Sequence, residues 1–317
     1  MRALAKRLIA PNVRHALRAQ ANHLRQRGIG DLIRWNHLLI DAAVRERLAR
    51  GRYQMLDERA VMSARRSDTV FVFGSGYSLN EITPAEWDAI AAHDTFGFTA
   101  FIHQRWVRTD FHLIRGGLEG SLRWREYAED FCRTLNENPY FANAILFLQG
   151  EYQAQFSNQI LGYGLLREGS RIYRYTTARG DGPPTRSLGE GLRHMGGTLS
   201  DAVNAAACLG WTHIVLAGVD LYDSRYFWLG PNETYGLDER SGLLAPAEVN
   251  VRGWRFDQVH NTARNGVVDI MGRWREHLER ERGIRMSVFN PKSLLTSVMP
   301  VYERSAPAEP AAKASPR

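Results

Sequence analysis

The chain is poor in cysteine. Two thiols in 317 residues, Cys132 and Cys208, stand in apolar surroundings with no partner at metal-ligand spacing. That excludes a disulfide framework and a structural zinc site, and reads as buried thiols in a reducing compartment. No apolar run approaches the roughly 20 residues needed to cross a bilayer. No continuous apolar core follows the first basic residues, so a secretory signal is not indicated. Acid is missing where base is dense: residues 1–30 hold no Asp or Glu, while Arg2, Lys6, Arg7, Arg14, Arg18, Arg25 and Arg27 alternate with Leu4, Leu8, Ile9, Val13, Leu17 and Leu24. Also absent is an aspartate-x-aspartate pair of the kind that holds a divalent ion before a nucleotide donor.

What is present is enough for a core. Hydrophobic residues make up 44% of the chain, which supports one large α/β domain or two small ones. The net charge of +7 is concentrated at the N-terminus. Three readings fit that segment: a solvated basic helix packed on the domain, a membrane-surface segment held by anionic headgroups, or a nucleic-acid arm or transit peptide. Residues 1–66 are expected to form a basic helical extension, broken at Pro11, Gly28-Ile29-Gly30 and Gly51. Helical spacing of Leu32, Trp35, Leu38, Leu39, Ala42, Ala43 and Leu48 supports this. Residues 305–317, rich in Ala, Pro and Lys, are expected to be disordered.

Between the ends, strand and helix patterns alternate. Strands are expected over 69–73, 95–98, 111–114, 144–148, 213–216 and 286–289. Helices are expected from the Thr83-Pro84-Ala85-Glu86 capping box, over the alanine-rich 199–209 closed by Gly210, and over the amphipathic 266–280. Strands joined by helical crossovers argue for a parallel sheet, and such sheets bind ligands at the carboxyl ends of their strands.

Three strand-end segments carry the chemistry. Gly74-Ser75-Gly76-Tyr77-Ser78-Leu79 follows the first strand, and paired glycines let backbone approach an anion. Leu79 replaces the third glycine of the dinucleotide fingerprint, so NAD is weakly supported beside a plain tight turn or a phosphate contact. Gly197-Thr198 opens the alanine-rich helix, and Gly218-Val219-Asp220-Leu221-Tyr222 closes the strand after it. Asp220 reads as fixing its own turn in preference to binding metal. His260-Asn261-Thr262 precedes the last long helix, where a histidine either caps the helix or serves chemistry. Tyr222, Tyr226, Phe227 and Trp228 are packing or site residues.

These segments, in this order, resemble the bacterial sialyltransferases of glycosyltransferase family 42 and related Rossmann-like CMP-sugar transferases. Gly74 through Ile82 is similar to the family's first motif, Gly197-Thr198 through Tyr222 to its central motif, His260-Asn261-Thr262 to its histidine motif, and Asn290-Pro291-Lys292-Ser293-Leu294-Leu295 to its C-terminal turn. The resemblance covers roughly residues 68–302. It leaves the middle, 118–192, unmatched. It implies a GT-A-like, mostly parallel Rossmann-like sheet with helices on both faces over 67–304. It implies inverting, metal-independent transfer of a sialic-acid-like (nonulosonic) or related acidic sugar from a CMP donor to a glycan or lipid-linked glycan acceptor.

The resemblance also implies roles. His260 would be the base, with a ring that titrates near neutrality. Tyr222 and Tyr226 would donate to the departing phosphate, and Thr198 would contact the donor. The family's nucleotide-binding asparagines fall on Ser75, near Thr99 and near Ile114-Arg115. Arg115 is read as meeting a phosphate or the sugar carboxylate. Gly74, Gly76, Ser78, Gly197 and Asp220 complete the expected substrate site, without metal or cofactor. The irregular stretch 229–259 is expected to fold over the donor. The expected location is cytoplasmic, peripheral on the inner membrane face, with no nucleic-acid partner. Alternatives are another nucleotide-phosphate transferase, such as a pterin pyrophosphokinase-like or flagellin-glycosylation protein, and a non-catalytic scaffold in polysaccharide assembly.

Overall fold

The computed structural model describes residues 11–116, 124–222, 225–229, 233–237, 244–248 and 260–303. The expected tail at 305–317 and most of the stretch 229–259 lie outside them. Twelve strands are present among the described residues: β1 (Gln54–Leu56), β2 (Thr69–Phe73), β3 (Asp94–Phe98), β4 (Phe111–Ile114), β5 (Ile145–Gln149), β6 (Arg171–Tyr175), β7 (Thr177–Ala178), β8 (Leu192–Arg193), β9 (His213–Ala217), β10 (Glu233–Leu237), β11 (Leu244–Glu248) and β12 (Arg285–Val288). Eight form one sheet in the order β1-β6-β5-β4-β3-β2-β9-β12. Every neighbouring pair in it is parallel, as the expected α/β fold requires. β10 and β11 pair as an antiparallel hairpin.

The strands are runs of β-branched and aromatic residues buried on both faces, as a parallel sheet under two helical layers requires. Alternate residues serve different cores. Val70, Val72, Phe96, Leu113 and Phe147 pack with Leu199, Val203 and Trp274 on one face. Phe71, Phe73, Leu146 and Leu148 pack with Trp87, Phe131 and Ile160 on the other. The first face is covered by α6 (Thr198–Leu209) and α8 (Val267–Arg282), the second by α3 (Pro84–Ala91), α4 (Trp124–Glu137) and α5 (Gln155–Gly162). The capping box is formed: Thr83 accepts from the Glu86 amide and Glu86 from the Thr83 amide, with Pro84 opening α3. The remaining helices are α1 (Pro11–Ala49), α2 (Glu58–Met62) and α7 (Asn261–Arg264).

The described residues before 67 pack on this domain. Its β1 pairs with β6 at the sheet edge, although helix was expected throughout 1–66. Gly162 meets α1 so closely that a Cβ would lie 2.8 Å from Arg45 and Glu46 atoms. The break at Gly28 is real: with φ +82 it folds α1 back on itself. The Gln20 and Asn36 amides bond each other, and His23 stacks on Trp35 at 4.4 Å. Both cysteines are buried and free. Burial raises the Cys132 thiol pKa and takes that of Cys208 to about 11.

Candidate functional site

From β2 the chain winds outward through β3, β4, β5 and β6, then returns to place β9 and β12 on the other side of β2. The order therefore reverses between β2 and β9, and the crevice above their carboxyl ends is where open α/β sheets bind ligands. A cleft of about 170 Å³ lies there, lined by the two strand-end turns, Thr99, Thr198, Arg225, Tyr226, His260 and Thr262 among others. That is less than the roughly 300–1,000 Å³ of a complete small-molecule pocket.

The floor is built by two turns locked together. The Gly74 amide donates to the Ala217 carbonyl at 2.9 Å and the Gly76 amide to that of Gly218 at 2.8 Å. A Cβ on Gly76 would stand 2.5 Å from Asp220 Oδ2 and 2.8 Å from the Gly218 oxygen. Both turn glycines are thus required by protein packing against the β9 turn, a stronger demand than space for a ligand. Asp220, 3% exposed, accepts from the Ser78 amide at 2.9 Å, from the Ser78 hydroxyl and from Asn290 Nδ2 at 2.9 Å. Its backbone carbonyl takes the Leu294 amide. Expected to fix its own turn, Asp220 joins the segments after β2, β9 and β12. Ser78 was expected to touch substrate, but it is buried and its hydroxyl is committed to Asp220.

Two non-glycine residues among those described have left-handed backbone, Thr99 at φ +48 and Leu221 at φ +65, and both line this cleft. Such backbone costs on the order of 1–3 kcal/mol and collects at functional sites. At Leu221 the carbonyl receives the His260 amide at 3.0 Å, which places the histidine at the cleft. Thr198 brings the first turn of α6 to the same place, where free amides and the helix dipole favour an anion. Gly197 before it has φ +146, and a Cβ there would press the Thr262 methyl at 3.1 Å.

His260 both caps a helix and faces the cleft. The Thr262 amide donates to His260 Nδ1 at 3.2 Å, so the neutral ring carries its hydrogen on Nε2. That nitrogen points to the Tyr226 hydroxyl at 3.4 Å, a long contact. Arg225 lines the cleft with its guanidinium 4.3 Å over the Tyr77 ring. Sequence reasoning passed over it, although an arginine between two candidate tyrosines was a legible signal.

Eight of the twelve expected site residues line this crevice; Ser78 and Gly197 stand behind it, and Tyr222 and Arg115 are placed otherwise. Tyr222 is half-buried and is not among the lining residues. Arg115 pairs with the buried Asp201 at 3.0 Å and is not a lining residue either. Burial is the largest influence and opposes the Arg115 charge, but Asp201, Tyr175 and Glu151 together hold the guanidinium above its ordinary range. His194 Nδ1 also bonds Asp201. Arg115 thus neutralises a carboxylate in the first turn of α6, where a phosphate or sugar carboxylate had been expected.

No family model matches the chain, and no curated protein matches it. Among solved structures, the chain is similar to the sialyltransferase CstII from Campylobacter jejuni in complex with a substrate analogue, cytidine-5'-monophosphate. The identity is 14%, over 74% of this chain and 84% of that one, with a TM-score of 0.40. At that level the likeness bears on neither activity nor ligand.

Proposed function

We propose that the chain is a glycosyltransferase that takes its sugar from a nucleotide donor, with the donor phosphate in the cleft between the β2 and β9 turns. The observation that carries this is the convergence of the α6 N-terminus, Arg225, Tyr226 and His260 on one crevice at the sheet's switch point. Phosphate leaving as an anion is stabilised by preorganised donors and positive charge. Arg225, the α6 amides and the Tyr226 hydroxyl supply these from the chain itself. The finer reading is a CMP donor of a nonulosonic or related acidic sugar and a glycan or lipid-linked glycan acceptor. In a single inverting step the acceptor oxygen bonds the anomeric carbon, the bond to the phosphate oxygen breaks, and the acceptor proton passes to His260.

The Nδ1 contact favours a second role for the same residue. With its hydrogen on Nε2, His260 is a donor to Tyr226 or to the leaving phosphate, and acts as base only when it gives up the Thr262 amide. Rates against pH separate the two. A base gives a rate that rises with pH through the histidine pKa. A donor gives none of that dependence, because Nε2 holds hydrogen in both the neutral and the charged ring. In either role His260→Ala lowers transfer by about a hundredfold while donor affinity stays near wild type. CMP is expected to raise the melting temperature without magnesium in a panel with CDP, UDP, GDP and ATP. A shift with magnesium-ATP alone removes the CMP reading, and a fully active His260→Ala enzyme removes the histidine.

A further inference from the structure

The second half of α1, residues 29–49, has two apolar faces. Trp35, Leu39 and Ala42, with Glu46, are buried, and Tyr163 beyond α5 donates its hydroxyl to Asp41 at 2.8 Å. On the opposite side Ile29, Ile33, Ile40, Val44 and Leu48 are 63, 63, 54, 54 and 81% exposed. Spacings of four and seven residues align them in one stripe. Nineteen steps of 1.5 Å from Ile29 to Leu48 make it about 28 Å long. A single exposed leucine needs no explanation, but a continuous apolar line does. Leu17 and Leu24, seven residues apart in the first half of α1, are exposed as well.

Charge decides what covers it. Residues 1–52 hold twelve Arg and Lys against three acids, while residues 53–317 hold 29 against 31. All of the net positive charge, and more, lies in this one segment. Its three acids are engaged: Asp31 with His23, Asp41 with Arg45, and Glu46 with Arg50. Arg34 and Arg47 stand exposed beside the stripe. Two copies meeting along it would oppose like charges, which disfavours self-association. No helix among the described residues is long and apolar enough to cross a membrane.

We propose that the stripe from Ile29 to Leu48 is a membrane-docking face that lies in the interface of an anionic bilayer, its isoleucines among the acyl chains and its arginines at the headgroups. Sequence reasoning assigned such contact to residues 1–30 through charge. The structure puts the apolar part further along, and turns Gln20 and His23 inward against the second half of the helix. The proposal does not rest on the reading of the cleft.

The test is co-sedimentation of the full chain with vesicles of phosphatidylcholine alone or mixed with phosphatidylglycerol, in low and high salt. The wild type binds the mixed vesicles, less so in salt. The double variant Ile33→Gln/Ile40→Gln keeps its melting temperature, because both side chains are exposed, and loses roughly tenfold in partitioning. Arg34→Gln/Arg47→Gln weakens binding and its salt dependence. Equal binding to neutral vesicles, or undiminished binding by the isoleucine variant, overturns the proposal. So does a lipid-free dimer that the isoleucine variant makes monomeric while vesicle binding persists, since the face then belongs to a second copy.

Discussion

Gly76→Ala is expected to be costly through Asp220. The added Cβ would sit 2.5 Å from Oδ2, 2.7 Å from Cγ and 2.8 Å from the Gly218 oxygen. The Gly218 carbonyl is held in the sheet-end ladder by the Gly76 amide itself, so the carboxylate must give way. It then loosens from the Ser78 amide, the Ser78 hydroxyl and Asn290. A hydrogen bond to an ionised acceptor contributes about 1.5–3 kcal/mol, and overpacking costs about 1–3 kcal/mol, so the expected loss is about 2–4 kcal/mol. Urea unfolding at constant slope measures it. The mechanism is isolated by a cycle with Asp220→Ala. Once the carboxylate is gone, only the 2.8 Å approach to the Gly218 oxygen remains, so Gly76→Ala costs less than it does in the wild type. A coupling energy of about 1–3 kcal/mol is expected. If the two losses add to within about 0.5 kcal/mol, Gly76 and Asp220 are independent sites and the packing argument fails.

Two further outcomes follow from buried charge. His112 is fully buried, and burial takes its pKa down to about 3 against weak support from the Thr99 backbone; burial takes His103 to about 4. The unfolded chain therefore binds more protons than the folded one below about pH 6.5, so stability is full above that pH and is lost as pH falls toward the folded values. In His112→Leu the slope of unfolding free energy against pH in this window should fall by up to about 1.4 kcal/mol per pH unit; an unchanged slope refutes it. Arg115→Met leaves the Asp201 carboxylate buried with only the His194 ring beside it. The expected loss is about 3–5 kcal/mol in stability, with CMP affinity little changed in refolded protein. A selective loss of affinity at wild-type stability would return Arg115 to the substrate site.

Local signals predicted local structure well. The β-branched run into Gly74, the capping box at Thr83, the Gly210 stop and the Gly28 break all appear where their chemistry placed them, because each depends on a few neighbouring residues. β2 and β4 matched to the residue, and β3, β5, β9 and β12 differ from expectation by one residue at an end or in register. β1 was missed because three residues at a sheet edge, Gln54-Met55-Leu56, have no period to read. β6, Arg171-Ile172-Tyr173-Arg174-Tyr175, was hidden by two arginines inside a buried strand. The positions of the glycine turn, Thr198, Asp220 and His260 at one crevice were legible from their places at strand ends. The partners of Ser78 and Arg115 were not, since Asp220 and Asp201 lie 142 and 86 residues away in the chain.

The three-residue strand β1 has a consequence out of proportion to its length. It occupies the outer side of β6, where an uncovered parallel strand would present a row of open amides and carbonyls. The N-terminal segment is therefore the sheet's guard against sticking to other chains. A protein cut back to residue 67, just before β2, would keep every residue of the cleft and lose its protection from aggregation.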